Sequence, residues 1–208
     1  REANDCASVR ETYQAAPEDG KLAHLIDAVE AGATIGCITK LFRSDAVEER
    51  LETPLPSWRL SQSYEALRAT AARFEQRTGS APQIFLANLG PLKKHKVRAD
   101  FTRSFFAAGG FECQYSAGIE DIDTGVQAFL KSEARIAVIC GTDPDYVEKV
   151  PALAAAFKKA APDAKLLLAG HPGDHLDAFK EAGLDDYIFV KSNNYEVNKA
   201  YLEWLGVL

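Results

Sequence analysis

Apolar positions along this chain change rhythm once, near Pro82. Before it the pattern is helical: Leu22, Leu25, Ile26 and Val29 fall at i, i+3, i+4 and i+7, one face of a helix. Gly32 and Gly36 interrupt, and Ile35, Ile38 and Leu41 continue the apolar face. Thr53-Pro54-Leu55-Pro56-Ser57 is not helix throughout, because proline lacks the N–H and clashes with the preceding turn; it reads as a linker. A helix over 63–76 follows and stops near Gly79.

After Pro82 short apolar runs alternate with amphipathic ones. Ile84-Phe85-Leu86-Ala87-Asn88 suits a strand buried on both faces, and the pattern over 97–108 predicts a helix ending at Gly109-Gly110. Strands follow at 111–115, 136–140, 165–169 and 187–190, with helices at 122–130, 146–160, 176–182 and 196–205. Such alternation implies parallel strands joined by right-handed crossovers. The expected fold is therefore a flavodoxin-like doubly wound α/β domain over 82–208, with strand order 2-1-3-4-5 taken by fold analogy. A helical segment (1–52) and a linker with its helix (53–81) precede it.

In such a sheet a ligand sits outside the carboxyl ends of the strands, at the switch point between strands one and three. The loops there are 89–95, 141–145 and 170–175. The first holds no G-x-x-x-x-G-K-[ST] and no G-x-G-x-x-G, and Pro91 and Leu92 stand where a flavin phosphate would need hydroxyls. A receiver domain would need an acidic cluster after strand one, where Asn88 and Leu89 stand.

Composition narrows the function classes. The 208 residues are 47% hydrophobic, enough for a packed core, and a net charge of −6 argues against a general nucleic-acid binder. No run approaches the ~18 apolar residues of a membrane span, and nothing resembles a signal peptide, so an intracellular location is expected. The chain opens at Arg1 and holds no methionine, which suggests a piece of a longer polypeptide. Cys6, Cys37, Cys113 and Cys140 form no zinc-ligand spacing; Cys113 and Cys140 lie in strand-like stretches and read as buried thiols.

Several polar groups cluster in the three loops. Lys93, Lys94, His95, Lys96 and Arg98 start a helix at the end unfavourable for positive charge. They read either as an anion or acidic-partner contact or as a solvated run. His171 and His175 have i, i+4 spacing, which places two imidazoles on one metal if the segment is helical, although Pro172-Gly173 intervenes. Asp174 reads as a cap for the next helix, and Asp145 as another, with Asp143 beside it as the second member of a candidate carboxylate pair. No Ser-His-Asp arrangement and no G-x-S-x-G elbow is present.

From about Leu22 onward the sequence resembles the C-terminal region of methylmalonyl-CoA mutase, particularly its small, non-catalytic subunit. Residues 27–36 are similar to the segment joining that family's substrate barrel to its cobalamin domain. Phe85-Leu86-Ala87-Asn88-Leu89-Gly90-Pro91-Leu92 falls on the family's first strand and cobalt loop. Cobalamin-binding members carry D-x-H-x-x-G there, the His replacing the lower base on cobalt and the Asp orienting it. In this chain the Asp position is Leu89, the His position Pro91 and the last Gly position Lys94, and only the intervening Gly90 matches. The family's Ser-x-Leu after strand three is Cys140-Gly141-Thr142, and its Gly-Gly after strand four is Ala169-Gly170.

The resemblance implies the non-catalytic subunit of a heterodimeric, adenosylcobalamin-dependent mutase. No catalytic or metal-ligating residue and no cofactor is expected on this chain; the cofactor belongs to the catalytic partner subunit. No nucleic-acid or membrane partner is expected, and the location implied is a bacterial cytoplasm rather than a mitochondrion. Two other readings stand beside it. One is a cobalamin carrier or sensor that holds the cofactor base-on or through His95 or His171. The other is a small-anion binder using Lys93 or Lys94.

Overall fold

A computed structural model describes residues 6–43 and 57–208, with side chains from Val9 onward in the first stretch. The chain divides into two compact units, Arg1–Pro56 and Ser57–Leu208. The linker expected at Thr53-Pro54-Leu55-Pro56 lies outside the described residues.

The first unit holds α1 (Cys6–Ala15), α2 (Lys21–Glu30) and α3 (Ile35–Phe42). Val9, Cys37 and Leu41 are buried, Tyr13 meets Phe42 edge to face, and Cys37 is disulfide-bonded. Gly36 does not interrupt the helix: Thr34 accepts the Cys37 N–H, so α3 starts one residue before the glycine. The face expected to be buried on α2 is largely open. Leu22, Ile26 and Val29 are exposed, while Leu25 and Ala28 are half-buried.

The second unit begins with α4 (Gln62–Thr78), then runs β1 (Gln83–Asn88), α5 (Leu92–Ala107), β2 (Glu112–Tyr115), α6 (Ile122–Ser132), β3 (Ile136–Cys140), α7 (Asp143–Ala160), β4 (Lys165–Ala169), α8 (Leu176–Glu181), β5 (Asp186–Ile188) and α9 (Asn194–Trp204). The five strands are all parallel in the order β2-β1-β3-β4-β5, the flavodoxin-like arrangement expected. Period-2 alternation sorts the apolar strand residues onto two cores. Ile84, Leu86, Ile136, Val138 and Leu167 face α4, α5 and α9, while Phe85, Ala87, Ala137, Ile139 and Leu168 face α6, α7 and α8. Both faces being covered is why β1, β3 and β4 read as continuous apolar runs. Leu67 and Ala71 of α4 belong to the first of these cores, and Tyr64 meets Tyr195 of α9 edge to face.

Three boundaries and one expected cap differ from the sequence pattern for identifiable local reasons. Helix α5 starts at Leu92, five residues early, because Pro91 already holds the extended N-cap geometry (φ −69°, ψ 156°). Helix α7 starts at Asp143 because Thr142, not Asp145, is its N-cap. Asp174 caps nothing: it sits in a 3₁₀ turn (Gly173–His175), and α8 begins without a side-chain cap. Strand β5 ends at Ile188, because the Phe189 N–H turns away to the Ser192 hydroxyl at 3.1 Å. Phe189 and Val190 therefore leave the sheet.

Candidate functional site

At the carboxyl ends of β1 and β3 the backbone goes on pairing past the strands. The Leu89 N–H donates to the Cys140 carbonyl at 2.7 Å and the Gly90 N–H to the Ile119 carbonyl at 3.0 Å, while the Ile119 N–H donates back to Asn88 at 2.6 Å. Leu89 is thereby turned into the core, where it packs with Phe85, Ile119 and Tyr146. Gly90 (φ +63°) makes the tight turn this requires, a conformation that costs a glycine little. Gly118 lies so close that a Cβ there would stand 2.0 Å from the Gly90 oxygen.

Side chains then close the switch point. Tyr146, buried at the first turn of α7, accepts the Gly141 N–H at 2.9 Å and donates to the Ala169 carbonyl at 2.7 Å. It joins the ends of β3 and β4 through one hydroxyl. Lys94 of α5 reaches Asp145 at 2.8 Å, and Arg98 reaches Asp143 at 2.6 Å, so two ion pairs span the loops after β1 and β3. Arg98 also donates to the Ala169 carbonyl at 2.6 Å and lies over the Tyr146 ring at 5.2 Å. Its Nη1 fills the space before Gly170, where a Cβ would stand 1.6 Å away.

The basic run thus has mixed uses. Lys94 and Arg98 are tied across the sheet edge, and Lys96 bonds Asp100 one turn on. These partners answer the unfavourable dipole position, because each cation meets a carboxylate rather than the bare helix end. Lys93 is exposed. His95, a member of the same run, is buried, with Nδ1 3.0 Å from the Gly90 carbonyl, which a ring N–H satisfies.

Asp143 and Asp145 each meet a cation of α5, Arg98 and Lys94 respectively. The Lys94 hydrogen bond and the Thr142 hydroxyl (2.5 Å) hold Asp145 below the usual carboxylate range, so it stays ionised at neutral pH. Burial pushes the Cys140 thiol up to about 12, and Cys113 likewise to about 12, so neither offers a thiolate near neutrality. Cys140 ends β3, Thr142 caps α7 and Gly170 faces Arg98; all are engaged structurally.

His171 and His175 are brought to one groove of about 470 Å³ with Asp174. Their rings are occupied differently: His171 accepts the Gly173 N–H on Nδ1 and packs against Tyr187 and Phe189, while His175 stacks on Phe179. Among the described residues no group of three or more His, Cys, Asp or Glu side chains has metal-holding geometry. A second concavity is displaced from the switch point. About 450 Å³ in volume, it lies between α5 and the ends of β4 and β5, lined by Val97, Arg98, Phe101, Gly170, Phe189 and Val190 among others.

The sequence pattern missed Tyr146, which it placed inside a helix as one more apolar position. It also missed Arg98 as a plug, since the contact spans 71 positions. Neither carries a local signal.

No protein-family model matches the chain. A curated relative from Streptomyces virginiae, a methylmalonyl-CoA mutase small subunit, is 34% identical over 153 residues, 74% of this chain and 24% of that protein. A methylmalonyl-CoA mutase small subunit from Porphyromonas gingivalis is 31% identical over 154 residues, again 74% and 24%. The chain spans about a quarter of the length of these relatives. Among solved structures, a cobalamin-binding protein from Desulfitobacterium hafniense aligns over 96% of this chain and 98% of its own, with 17% identity and a TM-score of 0.48. Over 74% of its length, then, the sequence is similar to methylmalonyl-CoA mutase small subunits, as its motifs implied. Among the described residues no helix is long and apolar enough to cross a membrane.

Proposed function

We propose that this chain, whose curated relatives are methylmalonyl-CoA mutase small subunits, is part of the non-catalytic subunit of a heterodimeric, adenosylcobalamin-dependent mutase. The complete enzyme interconverts (R)-methylmalonyl-CoA and succinyl-CoA, and the cofactor and its chemistry reside on the partner subunit, in a bacterial cytoplasm. One observation carries the reading: the switch-point crevice is filled by the chain's own groups. Leu89 is folded into the core, Tyr146 joins two strand ends, and two ion pairs cross between the loops.

Cobalamin does not fit these residues in the manner of a cobalt-ligating domain. Pro91, at the ligand position, has no side-chain donor, and the Leu89 side chain offers no carboxylate to orient one. His95 is buried against Gly90 and faces no open space. The approach to Gly170 is taken by Arg98. No step is therefore assigned to the cofactor on this chain, and its role is to fold, dock and support the catalytic subunit.

Titration of the purified chain with adenosylcobalamin and hydroxocobalamin, followed by visible spectrum and calorimetry, tests this. The expected result is no saturable heat and no base-off shift at tens of micromolar cofactor. Saturable binding with a base-off spectrum refutes it. His171 is the exposed one of the two alternative ligands. A base-off spectrum lost in His171→Ala would establish the carrier reading instead.

A further inference from the structure

We propose that the cleft between α5 and the ends of β4 and β5 is a docking groove for a partner polypeptide, one that presents an aliphatic or aromatic side chain beside a carboxylate. The inference rests on the partner-subunit reading and names the surface through which that role is exercised.

Two features define the groove. Its walls are apolar: Val97 and Phe101 on one side, Phe189 and Val190 on the other. Val97 and Val190 keep 81% and 84% of their surface in water. Singly exposed aliphatics are ordinary, but here two flank a concavity that already holds two half-buried phenylalanines. Covering such residues removes apolar surface from water, which is how an interface anchor works.

The second feature is charge. Arg98, 28% exposed, lines the groove and has five N–H donors in a planar fork. It spends one on Ala169 and one on Asp143, and Asp143 is itself 74% exposed. Lys93 lies one helical turn before Val97, and Lys191 follows Val190 directly; both are exposed, and among the described residues neither has an ion pair. Two unpaired lysines thus stand next to groove residues of opposite walls, beside the Arg98–Asp143 pair that lines the groove. An apolar side chain fills the walls, and an adjoining Asp or Glu meets the rim.

The test is calorimetry of the full chain against the catalytic mutase subunit of the same organism. Val190→Asp is expected to weaken binding at least about tenfold with the melting temperature unchanged, because the residue is exposed. Val97→Asp, on the opposite wall, should do the same. Lys93→Glu with Lys191→Glu should weaken binding and flatten its salt dependence. Lys131→Glu, on the far side of the sheet, should leave it unchanged. If the unaltered chain binds and the groove variants bind within twofold of it, the groove assignment is wrong and the partner reading stands. If the unaltered chain does not bind, both are overturned. Sedimentation showing self-association that Val190→Asp abolishes would assign the groove to a second copy and also overturn the proposal.

Discussion

Replacing Tyr146 with Phe isolates the group that closes the switch point. The change keeps the ring, so the packing with Leu89, Val150 and the other core residues stays and no cavity opens. What is lost is one buried hydroxyl with two short hydrogen bonds, to the Gly141 N–H at 2.9 Å and the Ala169 carbonyl at 2.7 Å. The Ala169 carbonyl keeps Arg98, so the main cost is the buried Gly141 N–H left unpaired. Such an orphan costs about 1–3 kcal/mol. For a unit of this size each kcal/mol is about 2–4 °C, so a central loss of ~2 kcal/mol lowers the melting temperature by ~4–8 °C. Urea unfolding followed by far-UV circular dichroism reads the same loss as a lower midpoint with an unchanged slope. A loss below about 0.5 kcal/mol would refute the reasoning, because the Gly141 amide would then have another partner.

The same substitution has an alkaline signature. Burial, with the Cys140 thiol adding to it, pushes the Tyr146 phenol above its ordinary value. Above about pH 10 the unfolded chain loses this proton while the folded one keeps it, so stability falls as pH rises from there. Tyr146→Phe removes that share of the decline.

Two further substitutions examine the same edge. Asp145→Asn should cost about 0.5–1.5 kcal/mol at pH 7, discounted because Lys94 is 43% exposed. The depressed carboxyl contributes above its unfolded value of about 3.9 and loses that contribution as pH falls through the lower folded value, so urea midpoints of variant and parent should converge on acidification. Gly170→Ala places a Cβ 1.6 Å from the Arg98 guanidinium at a backbone φ of +140° and should cost about 1–3 kcal/mol. In a double-mutant cycle with Arg98→Ala the collision part should vanish and the backbone part persist.

The pattern of apolar residues determined the parallel α/β class of the larger unit, while its strand order came from fold analogy. Buried parallel strands must be apolar on both faces, so β3 and β4 were legible residue for residue, and alternation with helices left right-handed crossovers as the connection. The family resemblance likewise implied that Leu89 and Pro91 stand where a carboxylate and an imidazole would be, since identity at a position is a property of sequence alone. Boundaries were less legible. Strand β5 read as 187–190 because Phe189 and Val190 look like strand residues, and only the Ser192 hydroxyl turns them away.

What filled the site was decided in three dimensions. Lys94 and Asp145 lie 51 positions apart, and Arg98 and Ala169 lie 71 apart, so no periodicity links them. The basic run read as a ligand contact or a solvated face until the fold set two of its cations against Asp143 and Asp145. His95 read as one of that basic run or as an alternative cobalt ligand until the turn at Gly90 presented a carbonyl to it. Local patterning fixes which residues must leave water, because that depends on composition and period. Which polar groups meet depends on how the strand ends are brought together, and that is a property of the folded sheet.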